Sequence, residues 1–272
     1  MSLIHTARTV IEHLPFGSIA LHKYRACLRR VEKRKLRQQK AAFVPDPVNR
    51  KINIGGGNWY RPYWENLDLY ADSDYIDHHL DIRSMAAFPV ADGTAAIVFT
   101  SHCLEHLPDD VVAHTLKEVF RILKPSGVLR IIVPDLEKAF CAYKNKDLVF
   151  FMSDEISLTG DSLERRFVNF FASYKYNGYS GGPLISPEEV ADHFQHLDNN
   201  GFVSWCVSLI PNAAPYKAHV NGFDFDKLKT MLTQSGFSNV VKSGYKQSSL
   251  AELKEDRFDN RPTISLYVEA IK

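Results

Sequence analysis

The sequence predicts an open, mainly parallel α/β sheet of seven strands. Short apolar strand segments alternate with segments of helical periodicity between residues 51 and 136, and the pattern resumes after 220. One of these strands, Ala-Ala-Ile-Val-Phe-Thr at 95–100, is apolar without alternation, as expected of a parallel strand covered on both faces. The first strand, at 51–54, runs straight into Gly55, Gly56 and Gly57, and a second strand, Asn66 to Tyr70, follows after a short connection.

Composition bounds the rest. At 272 residues, with 45% hydrophobic and 24% charged residues, the chain is one large domain or one domain with appendages. We expect an arm and linker over 1–47 and a main domain over 48–272, interrupted by an insertion at about 136–220. No apolar run is long enough to cross a membrane, and no secretory signal is legible. Cys27, Cys103, Cys141 and Cys206 lie far apart without metal-type spacing, which fits free thiols in a reducing, cytoplasmic setting.

Net charge is +1, but residues 23–40 hold nine Lys/Arg against the single acid Glu32. Leu21, Tyr24, Leu28 and Val31 recur at helical spacing among them, so 18–41 reads as a basic amphipathic helix. It suits an anionic partner: a membrane surface, a nucleic acid or a phosphorylated substrate. The plainer reading is a helix packed on the domain with its charges solvated.

The later elements follow in order. The latter half of 75–82 is a third strand ending at Asp81, and 95–100 is the fourth. Pro108 to Leu123 is a helix: Pro108 suits the first turn, Asp109 and Asp110 complement the positive end, and Val112, Leu116, Val119, Phe120 and Leu123 share one face. Lys124-Pro-Ser-Gly127 turns the chain into a fifth strand at 128–133. Residues 136–220 are rich in aromatics, with a helix capped by Ser186; we expect a mostly helical insertion acting as lid and acceptor pocket. Asp224 caps a further helix with Phe223 and Leu228 as a hydrophobic staple, and Gly236 ends it. Strands six and seven are 239–245 and 264–270.

Glycines after a strand let a ligand approach the backbone, and an acid at the end of the next strand, Asp68, can hold ribose hydroxyls. A dinucleotide does not fit. The position for the last glycine of that fingerprint is Tyr60, no full helix follows the loop, and Asp68 comes too early. A ribose without a pyrophosphate fits better, and S-adenosylmethionine is such a ligand.

Ile-Asn-Ile-Gly-Gly-Gly at 52–57, Asn-Leu-Asp-Leu at 66–69, Leu-Asp-Ile at 80–82, Ser-His-Cys-Leu-Glu-His at 101–106 and Glu-Val-Phe-Arg-Ile-Leu-Lys-Pro-Ser-Gly at 118–127 together resemble the class I S-adenosylmethionine-dependent methyltransferases. The likeness is to the type 11 group and to methyltransferases of bacterial surface-glycan gene clusters. The resemblance implies a Rossmann-like seven-stranded sheet with the last strand antiparallel. It implies that Gly55, Gly56 and Gly57 wrap the methionine part of the cofactor and that Asp68 holds the ribose. Asp81 would meet the adenine amino group with Ile82 against the ring, and Ser101 and His102 would lie near the sulfonium. Asn53, Leu69 and His106 complete the expected cofactor contacts. The usual helix after strand one is nearly absent, so Trp59 to Trp64 is expected to cover the cofactor instead.

A hydroxyl acceptor needs a base close to the sulfur. His102 is the best-placed candidate; Asp135, past strand five, and His219, where the insertion rejoins the sheet, are the others. His193 and His196 lack a third ligand at a recognisable spacing, so no metal is expected. Strand four ends in Thr-Ser-His-Cys, unlike the tetrad that resembles methylation of base amino groups, so nucleic acid is disfavoured. The expected function is O-methylation of a small hydroxylated acceptor such as a saccharide. The alternatives are a non-catalytic binding module and an RNA methyltransferase using the basic arm.

Overall fold

The computed structural model describes residues 31, 34–35, 37–69, 74–152, 162–173, 185–210, 216–258 and 261–272. Its strands are β1 (Arg50–Ile54), β2 (Glu65–Asp68), β3 (His78–His79), β4 (Ala95–Ser101), β5 (Leu123–Pro134), β6 (Asn239–Ser243) and β7 (Ser265–Ile271). They form one sheet in the order β3-β2-β1-β4-β5-β7-β6. β7 runs antiparallel to both neighbours, and the other pairings are parallel. This is the mostly parallel seven-stranded sheet, last strand antiparallel, that the sequence suggested.

Side chains alternate across each strand, so β4 supplies both faces. Val98 faces one core with Ile52, Ile54, Ile131 and Val268; Ile97 and Phe99 face the other with Ile132 and Tyr267. The first face is covered by α1 (Asp109–Ile122) and α7 (Phe225–Gln234), through Val112, Leu116 and Val119 of α1 and Leu228 and Leu232 of α7. Full burial of each such side chain contributes about 1.5–3 kcal/mol. The second face carries an aromatic cluster instead. Trp64, fully buried, packs on Phe258 at 5.1 Å between ring centres, and Phe99 meets Phe258 at 5.0 Å. Of the segment expected to cover the cofactor, Trp64 is therefore core, Pro62 and Tyr63 are exposed, and Trp59 lines the neighbouring cleft.

The caps hold as read. Asp224 accepts from the Lys227 N–H at 2.8 Å and Ser186 from the Glu189 N–H at 3.1 Å. Gly236 takes φ +109° where α7 ends. Three local readings change. Pro108 is the cap before α1 rather than its first residue. β3 is two residues long, because Asp81 leaves the sheet to cap a 3-10 turn at Ile82–Ser84. The Lys124–Gly127 turn lies within β5 as an irregularity: Ala95 pairs with Leu123 and Ile97 already with Val128, while Ser126 takes φ +62°.

The insertion contributes α2 (Leu136–Lys144), α3 (Leu148–Met152), α4 (Leu163–Val168), α5 (Pro187–His196) and α6 (Asn199–Ser208) among the described residues. Phe140, Phe167, Phe171 and Phe202 are buried against one another as its own core. Of the basic arm, residues 31, 34–35 and 37–41 are helical. Arg37 pairs with Asp74 at 2.8 Å and Lys40 with Asp77 at 2.9 Å, both on the main domain. Most of the arm lies outside the described residues. No described helix is long and apolar enough to cross a membrane.

Candidate active site

The C-terminal ends of β1, β2 and β4 meet at one edge of the sheet, where open α/β folds bind ligands. After β1, Gly55 and Gly57 take φ +67° and +55°, a region that L side chains enter at a cost. A Cβ on Gly55 would lie 2.3 Å from Cys103 Sγ, and one on Gly56 would lie 2.2 Å from Asn53 Nδ2. A Cβ on Gly57 would meet nothing within 4 Å. The loop is thus packed from below and open at Gly57. Asn53 is held under it by donating to Asn66 Oδ1 at 3.0 Å. The Gly57 N–H donates to Asp68 Oδ2 at 2.8 Å, which ties the loop to the end of β2.

A cleft opens beside this loop. Its walls carry Gly55, Asp68, Leu69, Asp81, Ile82, His102 and His106, seven of the expected cofactor residues, together with Leu80, Arg83, Cys103, Leu107, Tyr216 and Lys217. A smaller neighbouring cleft is lined by Asn53, Gly55, Gly56, Ser101 and His102, with Trp59, Phe99, Arg257 and Arg261. Gly55 and His102 border both. Two carboxylates on adjacent strand ends, apolar Leu69, Leu80, Ile82 and Leu107 between them, and an open glycine loop suit a ribose, a flat base and an amino-acid tail. The residues present therefore fit S-adenosylmethionine.

No local pattern placed Tyr216 and Lys217 on this cleft. They close the insertion, far along the chain from the loops they join. The Tyr216 hydroxyl donates to Asp81 Oδ2 at 2.5 Å, and the Arg83 guanidinium lies over its ring at 4.1 Å. Asp81 Oδ1 accepts from the Arg83 N–H at 2.9 Å. Asp81, expected to face an adenine amino group, is thus engaged on both oxygens.

The three base candidates separate. His102 sits at φ +50° just past β4, with Nδ1 3.2 Å from Glu105 Oε1 and Nε2 3.1 Å from Ser265 Oγ. Burial pushes the Glu105 carboxyl up, but the hydrogen bond and charge of His102 outweigh it and hold the group at about 2. His219 lies on the same cluster. Burial pushes its imidazole down to about 4, against the opposing charge of Glu105. His219 Nδ1 donates to the Asn169 carbonyl at 2.9 Å. Asp135 is elsewhere: it caps α2 by accepting from the Lys138 N–H at 3.2 Å, and it lines a separate surface cleft with Lys242 and Tyr245. The strand-end position was read correctly, but the carboxylate is spent on the helix. Burial pushes the Cys103 thiol up to about 12.

Residues 68–131 match the methyltransferase domain family. The match runs from the last residue of β2 into β5, so it contains Asp68, Asp81, Ser101, His102 and His106. The match supports S-adenosylmethionine as the cofactor and methyl transfer as the reaction class. Similar solved structures include an S-adenosylmethionine-dependent methyltransferase from Archaeoglobus fulgidus, 15% identical, covering 90% of this chain and 94% of that chain with a TM-score of 0.39. A possible histamine N-methyltransferase from Thermotoga maritima is 15% identical over 94% of this chain and 98% of its own, with a TM-score of 0.39. An S-adenosylmethionine-dependent methyltransferase from Mesorhizobium loti is 13% identical over 88% and 96%, with a TM-score of 0.41. No curated protein matches the chain.

Proposed function

We propose that this chain is an S-adenosylmethionine-dependent O-methyltransferase acting on a small hydroxylated acceptor such as a sugar or glycan precursor. The observation that carries the reading is the position of His102, on the wall shared by the two clefts, with its ring fixed at both nitrogens. The cofactor, when bound, supplies a methyl group already activated on a sulfonium. The protein's remaining work is to orient the acceptor and remove its proton.

The residues divide that work. Gly55, Gly57, Asp68 and Leu69 form the cofactor side, with Asp81 and Ile82 at its far end. The cleft lined by Ser101, Trp59 and Phe99 takes the acceptor. The ionised Glu105 accepts the His102 Nδ1 proton, which leaves the Nε2 lone pair to receive a proton. The Nε2 position, which holds the Ser265 hydroxyl in this structure, takes the acceptor's proton, and Glu105 then stabilises the imidazolium. In this reading 48–272 is the catalytic domain and the enzyme is cytoplasmic. The basic stretch 23–40 is an accessory contact for an anionic surface, with Arg37 and Lys40 already committed to the domain.

The test is methyl transfer from labelled S-adenosylmethionine to a panel of free sugars, nucleotide-linked sugars and RNA, with the methylated atom located by NMR. Label on a hydroxyl oxygen of a small acceptor supports the reading. Label on a nitrogen, or on RNA alone, overturns it.

A further inference from the structure

Glu105, His106 and His219 bring one ligand atom each to within 4.8 Å of one another. The first two leave a 3-10 turn at Leu104–His106; the third arrives from the far end of the insertion. The hydrogen bonds around them fix what each presents. His106 Nδ1 lies 3.1 Å from the Ala218 carbonyl, and His219 Nδ1 lies 2.9 Å and 3.2 Å from the carbonyls of Asn169 and Phe170. A carbonyl only accepts, so both Nδ1 atoms carry the proton and both Nε2 atoms carry a lone pair. Glu105 is 1% exposed; its Oε1 accepts from His102, while its Oε2 is buried with no hydrogen-bond partner among the described residues.

Two imidazoles whose Nδ1 protons are engaged thus stand beside a buried carboxylate oxygen that lacks a donor among the described residues. A buried carboxylate oxygen left so loses its hydration without compensation, at a cost of at least about 1–3 kcal/mol. A cation removes that cost. Histidines that ligate metals characteristically give their other ring N–H to a backbone carbonyl, as both do here. Two imidazoles and one carboxylate are a ligand set for Zn²⁺, Fe²⁺ or Co²⁺ with a position left open.

We propose that Glu105, His106 and His219 form a binding site for a divalent transition-metal ion. Metal–ligand bonds of about 2.1 Å place tetrahedral ligand atoms about 3.4 Å apart, so binding draws the three side chains together by about an ångström. His106 also lines the cofactor cleft, so in the methyl-transfer reading the ion borders the cofactor side of the site. That last assignment rests on the methyl-transfer reading; the ion site does not. His219 lies 113 residues beyond His106 (219 − 106), which is why no local spacing in the sequence announced the set.

The experiment is a titration of chelator-treated full-length protein with Co²⁺, followed by visible absorption and calorimetry, with S-adenosylmethionine titrated into the same preparation. One equivalent is expected to bind with a d–d band, and His219→Ala and Glu105→Gln each weaken binding by more than about tenfold. Circular dichroism shows that each variant is folded; should one fail to fold, His106→Gln serves in its place. The double variant His193→Ala/His196→Ala controls for binding on α5 and is expected to leave the titration unchanged. Absence of binding, binding insensitive to the cluster variants, or loss in the α5 control alone would overturn the site. Cofactor binding without Co²⁺ binding would remove the ion and leave the methyltransferase reading intact.

Discussion

Gly55 and Gly57 both lie in the left-handed region, yet alanine should be far worse at the first than at the second. At Gly57 an added Cβ meets open space, so the cost is the backbone alone, about 1–2 kcal/mol. At Gly55 the same backbone cost is joined by overlap with Cys103, whose Sγ and Cβ would lie 2.3 and 2.7 Å away. Overpacking of that kind adds about 1–3 kcal/mol, giving about 2–5 kcal/mol in total. Urea unfolding monitored by circular dichroism measures both. Adding Cys103→Ala removes the nearer clash and should recover part of the loss in the Gly55→Ala background, while Gly57→Ala should show no coupling to it. Equal destabilisation at the two glycines, or strict additivity of Gly55→Ala with Cys103→Ala, would refute the claim that Cys103 packs the loop from below.

Further outcomes follow from the same geometry. Replacing His102 with Asn, which tolerates its positive φ, should lower turnover by about 10²–10⁴-fold while cofactor affinity, measured by calorimetry, stays within a few-fold. Glu65 is pushed up by burial, but hydrogen bonds from Arg50 and His78 outweigh this and hold it at about 2, against an ordinary 4.5. Its folded value is therefore depressed: it supports stability above about pH 4.5, up to about 3 kcal/mol, and loses that support as pH falls toward 2. Urea midpoints of the wild type should drop across that window more than those of Glu65→Gln. Arg130 and Glu269 are direct cross-strand partners, buried and 2.9 Å apart, so Glu269→Ala should destabilise by about 3–5 kcal/mol through the charge left behind, read as a lowered urea midpoint.

The sequence disclosed what is local. The strand-to-glycine junction, Asp68 at the end of β2, and the caps at Ser186 and Asp224 depend on residues within a few positions of one another, and each is where periodicity and turn chemistry put it. The site was legible to the same extent: seven of the expected cofactor residues line one cleft because the parallel order of β1, β2 and β4 gathers their C-terminal ends. What depended on distant packing was not legible. Tyr216 reaches Asp81 across 135 residues, and Glu105 meets His219 across 114. No periodicity encodes such meetings. Asp135 shows the converse. A carboxylate at a strand end reads as a site residue, but when a helix begins at once, the unpaired N–H groups of its first turn take it. Trp64 shows that an aromatic beside a loop can pack on the second sheet face, with Phe99 and Phe258, rather than serve the ligand.

The central claim is that the glycine loop and Asp68 hold S-adenosylmethionine. Calorimetric titration of the purified protein with S-adenosylmethionine and with its demethylated product, repeated on Asp68→Ala, tests it most directly. Saturable binding of both ligands to one site, abolished in the folded variant, is the predicted result. A well-folded wild-type protein that binds neither ligand would contradict the account.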